Sequence, residues 1–156
     1  MKLQEKILEH KKICDQTREE MNDGPWKSEP DRYEFKAYSY DCLLSRNRFL
    51  FVWCGYVAVP KGHPAYEKQR DDIEVSIHGG LTYGGKCHDL ICHGGKDDVY
   101  WVGFDCGHYE DIIPSMDKYM DNMPSFLKED DRHYWNLEDV ITETTLLAKQ
   151  LKELEK

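Results

Sequence analysis

The sequence predicts an α+β fold, in which a central, mainly antiparallel sheet is joined by a helix from each end of the chain. Two observations predict it. Both ends of the 156-residue chain show the spacing of apolar side chains that is typical of helices. The centre consists of short β-branched and aromatic runs separated by turn residues, which is the pattern of strands. The length is that of one domain, so we expect residues 1–156 to fold as a single unit.

The first helix is predicted over residues 1–23. Apolar residues between Leu3 and Met21 recur every three or four positions, and His10 and Thr17 interrupt the stripe. An Asn-Asp-Gly-Pro sequence follows and is typical of a helix end.

The second terminal helix is predicted over residues 136–156. Asn136 is expected to be its N-cap, with Asp139 completing a capping box. Apolar residues up to Leu154 then repeat every seven positions, with others widening the stripe. This stripe either packs on its own domain or, with the first helix, forms the seam of a homodimer or higher oligomer. Both interpretations stay open.

The core of the α+β fold is expected between residues 30 and 125. β-branched and aromatic runs predict its strands, and turn residues separate them. The predicted strands are 33–40, 41–47, 48–60, 72–78 and 99–105, and the predicted short helices are 64–70 and 112–120.

The charge distribution argues against a nucleic-acid-binding protein. The chain has a formal net charge of −9, and residues 105–139 hold ten acidic and three basic residues. A protein that binds extended DNA or RNA usually presents a basic face to the phosphates. We therefore expect no extended nucleic acid among the partners, while a small basic pocket remains compatible with the sequence.

The ends and the cysteines indicate the compartment. No apolar run approaches the roughly 20 residues that a membrane span needs, and the charged N-terminus lacks the apolar region of a signal peptide. We therefore expect no membrane association and a cytoplasmic location, which is the host cytoplasm if a phage encodes the protein. In that compartment the six cysteines are expected to be free thiols or metal ligands rather than disulfides.

The most unusual segment is the glycine-rich run from His78 to Gly85. Its four glycines permit positive φ and close backbone approach, and exposed amides there could bind an anion. The run is neither a P-loop nor a GxGxxG motif. A hairpin loop that needs a permissive backbone is an equally good interpretation. We expect this run to face the segment Asp105–Asp111.

An anionic ligand would need cations and polar groups beside these glycines. Arginine binds phosphate or carboxylate through two parallel hydrogen bonds, and lysine and histidine add positive charge. The predicted ligand-binding residues are Arg46, Asn47, Lys61, His63, His78, Gly79, Gly80, Thr82, Tyr83 and Asp105.

A second hypothesis is a catalytic group formed by Cys106, His108 and Asp111. The three types could supply a nucleophile, a base and an orienting carboxylate. Alternatively, Cys106 is a small buried residue and Asp111 caps the next helix. No known protease or hydrolase signature accompanies them, so a non-catalytic binding protein is the favoured interpretation.

A third hypothesis is a zinc-stabilised protein-interaction module. Zinc accepts thiolate and imidazole ligands, and the candidate metal ligands are Cys87, Cys92, His93, Cys106 and His108. Their spacing is not that of a zinc finger or ribbon, and adjacent residues of a strand point to opposite faces. No cofactor is therefore favoured, and zinc is the alternative.

Several ordered motifs resemble one protein family. They are CLLSRN at 42–47, CGYVAVPKGHP at 54–64, HGGLTY at 78–83 and GFDCGHYED at 103–111. Together they resemble a family of hypothetical proteins common in bacteriophages and prophages, over about residues 26–114. The resemblance implies a phage origin rather than a particular reaction.

A phage origin implies a context for the function. Small accessory phage proteins often act against host defence, and one class sequesters nucleotide-derived immune signals in pockets. By this analogy, the resemblance implies a protein that binds a small anionic, nucleotide-like ligand, with a host protein as the other partner to consider. The alternatives are the Cys/His-dependent hydrolase and the zinc-stabilised module described above.

Overall fold

Five strands form one antiparallel sheet in the order β1-β2-β3-β5-β4. The structure is a computed structural model that describes residues 2–93, 98–120 and 132–155. The elements are α1 (Leu3–Glu19), β1 (Arg32–Ala37), β2 (Tyr40–Arg46), β3 (Trp53–Pro60), β4 (Tyr83–Lys86), β5 (Val99–Asp105), α2 (Pro114–Met120) and α3 (Leu137–Glu153). The predicted α+β class, with helices near both ends of the chain, is confirmed.

The main core lies between the sheet and α3. Val140, Leu147 and Leu151 of this helix are completely buried and belong to one cluster with apolar residues of β2, β3 and β5. The buried positions of the α3 stripe therefore pack on their own domain, and the homodimer or higher oligomer stays a prediction. A second, smaller cluster around Trp101 covers part of the opposite face of the sheet.

The predicted capping box begins α3. The Asn136 side chain accepts a hydrogen bond from the Asp139 backbone amide at 2.9 Å, and the Asp139 carboxylate accepts one from the Asn136 amide at 3.2 Å. The two bonds satisfy backbone donors that a helix otherwise leaves unpaired, which confirms this boundary.

The interruption of the α1 stripe by His10 has a structural reason. His10 is buried, and its Nε2 lies 2.8 Å from the backbone oxygen of Arg46. Burial lowers the pKa of His10 and favours the neutral ring. The neutral imidazole can donate to the carbonyl, so this polar residue occupies the buried face at little cost.

The predicted strand at 72–78 does not form a ladder with any described strand. A short 3₁₀ turn covers Arg70–Asp72, and the chain then contacts α3 at Ser76 and His78. There the Gln150 side chain accepts from the Ser76 amide at 2.6 Å and donates to the Ser76 oxygen at 2.9 Å. The strand-like alternation therefore reflects packing against a helix whose glutamine substitutes for a neighbouring strand.

Three other local predictions were wrong. Residues 64–67 form turns and no α-helix covers 64–70, and residues 48–52 form a loop before β3 rather than its first half. The edge strand β4 replaces part of the expected glycine-rich loop and pairs with β5. Among the described residues, no helix is long and apolar enough to cross a membrane.

Candidate functional site

Three potential metal ligands meet beyond the end of β5. They are His78, His108 and Asp111, which we call the His–Asp cluster. Each offers one ligand atom, and the three atoms all lie within 4.8 Å of one another. The segments containing His78 and Asp111 thus face each other, as the sequence analysis expected.

The turn after β5 orients the carboxylate of Asp111. The Asp111 amide donates to the His108 oxygen at 2.9 Å, and Asp111 Oδ2 accepts from the His108 amide at 2.9 Å. The Asp111 side chain is only 2% exposed. Because the His108 amide holds it, the carboxylate is oriented before any ligand binds.

His78 reaches this carboxylate from the other side. Its Nε2 lies 2.8 Å from Asp111 Oδ2, and since a carboxylate only accepts, the ring nitrogen donates. The His78 ring stacks on Trp135 with centroids 4.1 Å apart, and its backbone amide donates to Glu143 of α3 at 3.2 Å. The imidazole is thus fixed by a ring contact, a helix and a carboxylate.

Gly79 allows the two histidines to approach. Its φ is +68°, and a Cβ at this position would lie 2.0 Å from Nε2 of His108. Gly80 also has positive φ, at +80°, but nothing lies within 4 Å of the place of its Cβ. Gly79 is therefore required by both conformation and space, and Gly80 by conformation alone.

His108 has an unsatisfied nitrogen. Its Nε2 is buried and makes no hydrogen bond with the described residues. Asp105 Oδ1 is 3.4 Å away, within range of an ion pair, but it accepts its hydrogen bond from the Gly107 amide at 3.0 Å. A buried polar atom without a hydrogen bond is costly in a purely structural site.

Trp135 is a site residue that sequence reasoning missed. The chain at His133 forms a parallel bridge with Asp111, where the Ile112 amide donates to the His133 oxygen at 2.8 Å. This pairing positions Trp135 over His78. An aromatic residue just before a helix cap is no signal of a site, so only the tertiary structure could reveal it.

The structure brings together two of the three predicted catalytic residues, His108 and Asp111. Cys106 instead belongs to the hydrophobic core and is 2% exposed. Burial raises the pKa of the Cys106 thiol well above its ordinary value. A buried, protonated thiol is a poor nucleophile, so the geometry disfavours the cysteine-dependent reaction.

The contacts of Arg46 indicate a structural role in the core rather than ligand binding. Its side chain is fully buried, with Nη2 3.0 Å from Glu29 Oε1 and Nη1 donating to the Tyr134 hydroxyl at 2.8 Å. The guanidinium also lies 4.2 Å from the Trp53 ring centroid. These contacts occupy the groups with which Arg46 would bind a ligand.

The remaining predicted cations lie at the other end of β3. His63 is buried, its Nε2 donates to the Leu151 oxygen at 2.9 Å, and its Nδ1 accepts from the Ala65 amide. Lys61 follows the last residue of β3, whereas β3 begins beside Asp105 at Trp53. At roughly 3.3 Å per residue, these ends are about 23 Å apart. Lys61 and His63 therefore lie far from the end of β5, where His78, His108 and Asp111 meet.

The other predicted ligand-binding residues stabilise a turn, a strand boundary and an aromatic contact. Asn47 Oδ1 accepts from the amides of Phe49 and Leu50, each at 2.9 Å, and so closes a turn. The Thr82 amide donates to Gly103 and leads the chain into β4. Tyr83 packs edge-on against Tyr56, with centroids 5.4 Å apart.

The five candidate metal ligands do not assemble into one site, and only His108 among them belongs to the His–Asp cluster. Cys87 and Cys92 form a disulfide, so the expectation that all six cysteines are free or metal-bound was wrong for this pair. Their Cα atoms are 4.7 Å apart across a tight turn, where a hairpin-like bridge joins His88 and Ile91. His93 pairs with Asp41 at 3.1 Å. Cys87 packs on the small cluster, across the sheet from Cys106.

A separate groove of about 530 Å³ lies between α1, the loop after β2 and the turn at 88–91. Charged residues of both signs line it, namely Lys6, Glu9, Arg48 and Asp89, whereas the fully buried side chain of Arg46 is held by Glu29 and Tyr134. Its size is that of a small-molecule site. The exposed ring of Phe49, 73% accessible, borders it.

The chain thus presents two candidate sites, the His–Asp cluster and this groove. Of the two, the cluster has the more specific chemistry, because two imidazoles and one carboxylate are ligand types that zinc and related metals accept. No protein-family model, curated protein or solved structure matches the chain.

Proposed function

We propose that the His–Asp cluster binds a divalent transition-metal ion, which in turn presents an open coordination position to a small ligand. The observation that carries the proposal is the convergence of three ligand atoms within 4.8 Å. His78 comes from the segment along α3, whereas His108 and Asp111 come from the turn after β5. Zinc and iron are the metals most often held by such a set.

The surroundings of the ligands support this proposal. Metal-binding imidazoles are usually held by contacts outside the coordination shell. Trp135 and Glu143 hold His78, and the His108 amide holds the carboxylate of Asp111. The ligands would therefore lose little conformational entropy on binding.

The number of ligands supports an open position. Structural zinc sites have four protein ligands, whereas catalytic ones have three and leave the fourth position to water or substrate. The side chains of His78 and His108 are 22% and 33% exposed. A small molecule could therefore reach the ion from solvent.

Metal analysis tests the proposal directly. Protein purified without chelator and supplied with zinc should contain one ion per chain, measured by mass spectrometry of the metal. His78→Ala and Asp111→Asn should lose it, because two ligands bind weakly. His88→Ala is the matched control, since this histidine bridges to Ile91 through its backbone.

Cobalt provides a second readout. Cobalt(II) bound by two imidazoles and a carboxylate has visible absorption bands that depend on these ligands, so the bands should vanish in His108→Ala. Equal zinc content in the wild type and in His78→Ala would rule the proposal out.

A second candidate function is the binding of a small anionic, nucleotide-like ligand in the groove. The observation that favours it is the presence of Lys6 and Arg48 along one cavity, with the exposed ring of Phe49 beside them. Glu9 and Asp89 oppose it by balancing the charge.

Calorimetry with nucleotides and cyclic nucleotides tests this candidate. Binding should weaken in Arg48→Ala and stay unchanged in Lys61→Ala, which is outside the groove. The absence of heat across the panel would eliminate it, and with it the idea that the protein sequesters a nucleotide-derived host signal in this groove.

A further inference from the structure

Asp105 lies beside the His–Asp cluster without belonging to its three-atom set. Its Oδ1 is 3.4 Å from Nε2 of His108 and is oriented by the Gly107 amide. Its Oδ2 has no hydrogen bond with the described residues, and the side chain is 34% exposed. A carboxylate oxygen is therefore available next to the proposed ion and open to solvent.

The charges around the site select among substrates. Asp111, Asp105 and Glu143 supply three carboxylates, the last of which contacts the His78 amide at 3.2 Å. A divalent ion bound by two neutral imidazoles adds two positive charges, so the surroundings remain negative. Like charges brought close together repel, and a phosphate ester would be disfavoured. An uncharged carbonyl compound meets no such repulsion.

We propose that the metal centre hydrolyses uncharged esters or amides, with Asp105 as a positioning residue for the attacking water; this inference rests on the proposed metal site. Asp105 accepts a hydrogen bond from the metal-bound water and directs its lone pair toward the substrate. The metal ion makes this water acidic enough to exist as hydroxide near neutral pH.

The hydrolytic step balances without a further reactant. Metal-bound water releases a proton to solvent, and the hydroxide attacks the carbonyl carbon, so that a new carbon–oxygen bond forms. The bond to the leaving alcohol or amine then breaks, and the leaving group takes a proton from water. The products are a carboxylic acid and an alcohol or amine.

Paired substrates test the inference on the full-length chain. Zinc-loaded protein should accelerate the hydrolysis of 4-nitrophenyl acetate, which is uncharged, over its uncatalysed rate in buffer by a larger factor than that of bis(4-nitrophenyl) phosphate, which is an anion. Protein stripped by a chelator measures the hydrolysis that free side chains cause. Asp105→Asn should retain one zinc per chain while kcat falls about 10- to 100-fold and KM stays unchanged.

Two further variants separate positioning from folding. Asp105→Glu should restore part of kcat, because it keeps the acceptor. Asp98→Asn is the matched control, since Asp98 is bonded to the Tyr66 hydroxyl at 2.7 Å and is exposed. Its kcat should equal that of the wild type.

The outcomes distinguish this inference from the metal proposal. Bound zinc with no hydrolysis above that of stripped protein would overturn the inference and leave the metal site intact. A larger acceleration of the phosphate diester than of the acetate ester would overturn the substrate class, and loss of zinc in Asp105→Asn would make Asp105 a ligand rather than a positioning residue. A wild-type protein that binds no zinc would refute the metal proposal itself.

Discussion

Nε2 of His78 lies 2.8 Å from Oδ2 of Asp111, although 33 positions separate the two residues in the chain. The contact depends on two separate packing events. The segment before His78 must lie along α3, and the turn after β5 must place the Asp111 carboxylate against the His108 amide. Substitutions that disturb either element should therefore change the geometry of the His–Asp cluster.

Alanine at Gly79 should damage the site, and alanine at Gly80 should not. Both changes place an L-residue at positive φ, which costs about 1–2 kcal/mol. Only at Gly79 would the new Cβ also collide with His108, at 2.0 Å from its Nε2. Urea denaturation should show a larger loss of stability in Gly79→Ala, and metal analysis should show lost zinc in this variant alone. Equal losses of stability and of zinc in the two variants would contradict the close approach of Gly79 to His108.

Replacing Arg46 should destabilise the fold, whereas replacing its neighbour Arg48 should not. Arg46→Met leaves the largely buried Glu29 carboxylate, which is 10% exposed, without its cation, and breaking a buried pair in this way costs about 3–5 kcal/mol. Arg48→Met changes an exposed residue and should stay within about 0.5 kcal/mol of the wild type. Chemical denaturation of both variants measures the difference. If Arg46→Met were as stable as the wild type, Arg46 would again be a candidate ligand-binding residue.

The native protein should have no rapidly reacting thiol at pH 7.5. Cys87 and Cys92 form a disulfide, and burial raises the pKa of the Cys14, Cys42 and Cys54 thiols to about 12. Iodoacetamide reacts with thiolates, which are scarce at this pH.

Mild reduction should make only the two cysteines of the disulfide reactive toward iodoacetamide. After treatment with dithiothreitol, mass spectrometry should find label on Cys87 and Cys92 first. Rapid labelling of Cys106 in unreduced protein would support the hypothesis of a cysteine-dependent hydrolase.

The stability of the fold should decrease as the pH rises above about 9. The folded state keeps the thiols of Cys14 and Cys42 protonated up to about pH 12, whereas the unfolded chain releases these protons near the ordinary thiol pKa of 9.0. Their stabilising contribution is therefore complete below pH 9 and is lost as the pH approaches 12. Denaturation in urea at pH 8, 9 and 10 measures the slope, to which each thiol adds up to about 1.4 kcal/mol per pH unit.

A variant identifies the thiols as the cause of this slope. Cys42→Ala should flatten it, because the alanine has no proton to release. An unchanged slope in this variant would assign the alkaline loss to other groups, such as buried tyrosines.

Local signals in the sequence predicted most of the regular elements. The capping box at Asn136 and the seven-residue repeat located α3, and apolar β-branched runs located β2, β3 and β5. These elements are long and bury one or both faces, so their composition reflects their environment. The strand β4 was missed because Tyr83–Lys86 contains two glycines and is a strand only through pairing with β5.

The candidate site was predicted in part. The segments that contain His78 and Asp111 were expected to face each other, and they do. The cationic site was not found as expected, since Arg46 and His63 are core residues. A sequence shows that a residue can bind an anion, but the same donors also satisfy buried carboxylates and carbonyls. Burial decides between these uses, and burial depends on the whole fold.

The sequence by itself determined the α+β class, the two terminal helices, the central strands and the unusual chemistry of the region from His78 to Asp111. Each of these follows from neighbours within a few positions, where propensity, periodicity and turn residues act. The tertiary structure alone decided which side chains meet. It joined His78 to Asp111, placed Trp135 over the imidazole, paired Cys87 with Cys92 and buried Cys106. Such contacts link positions far apart in the chain, and their energies depend on packing that no local pattern records.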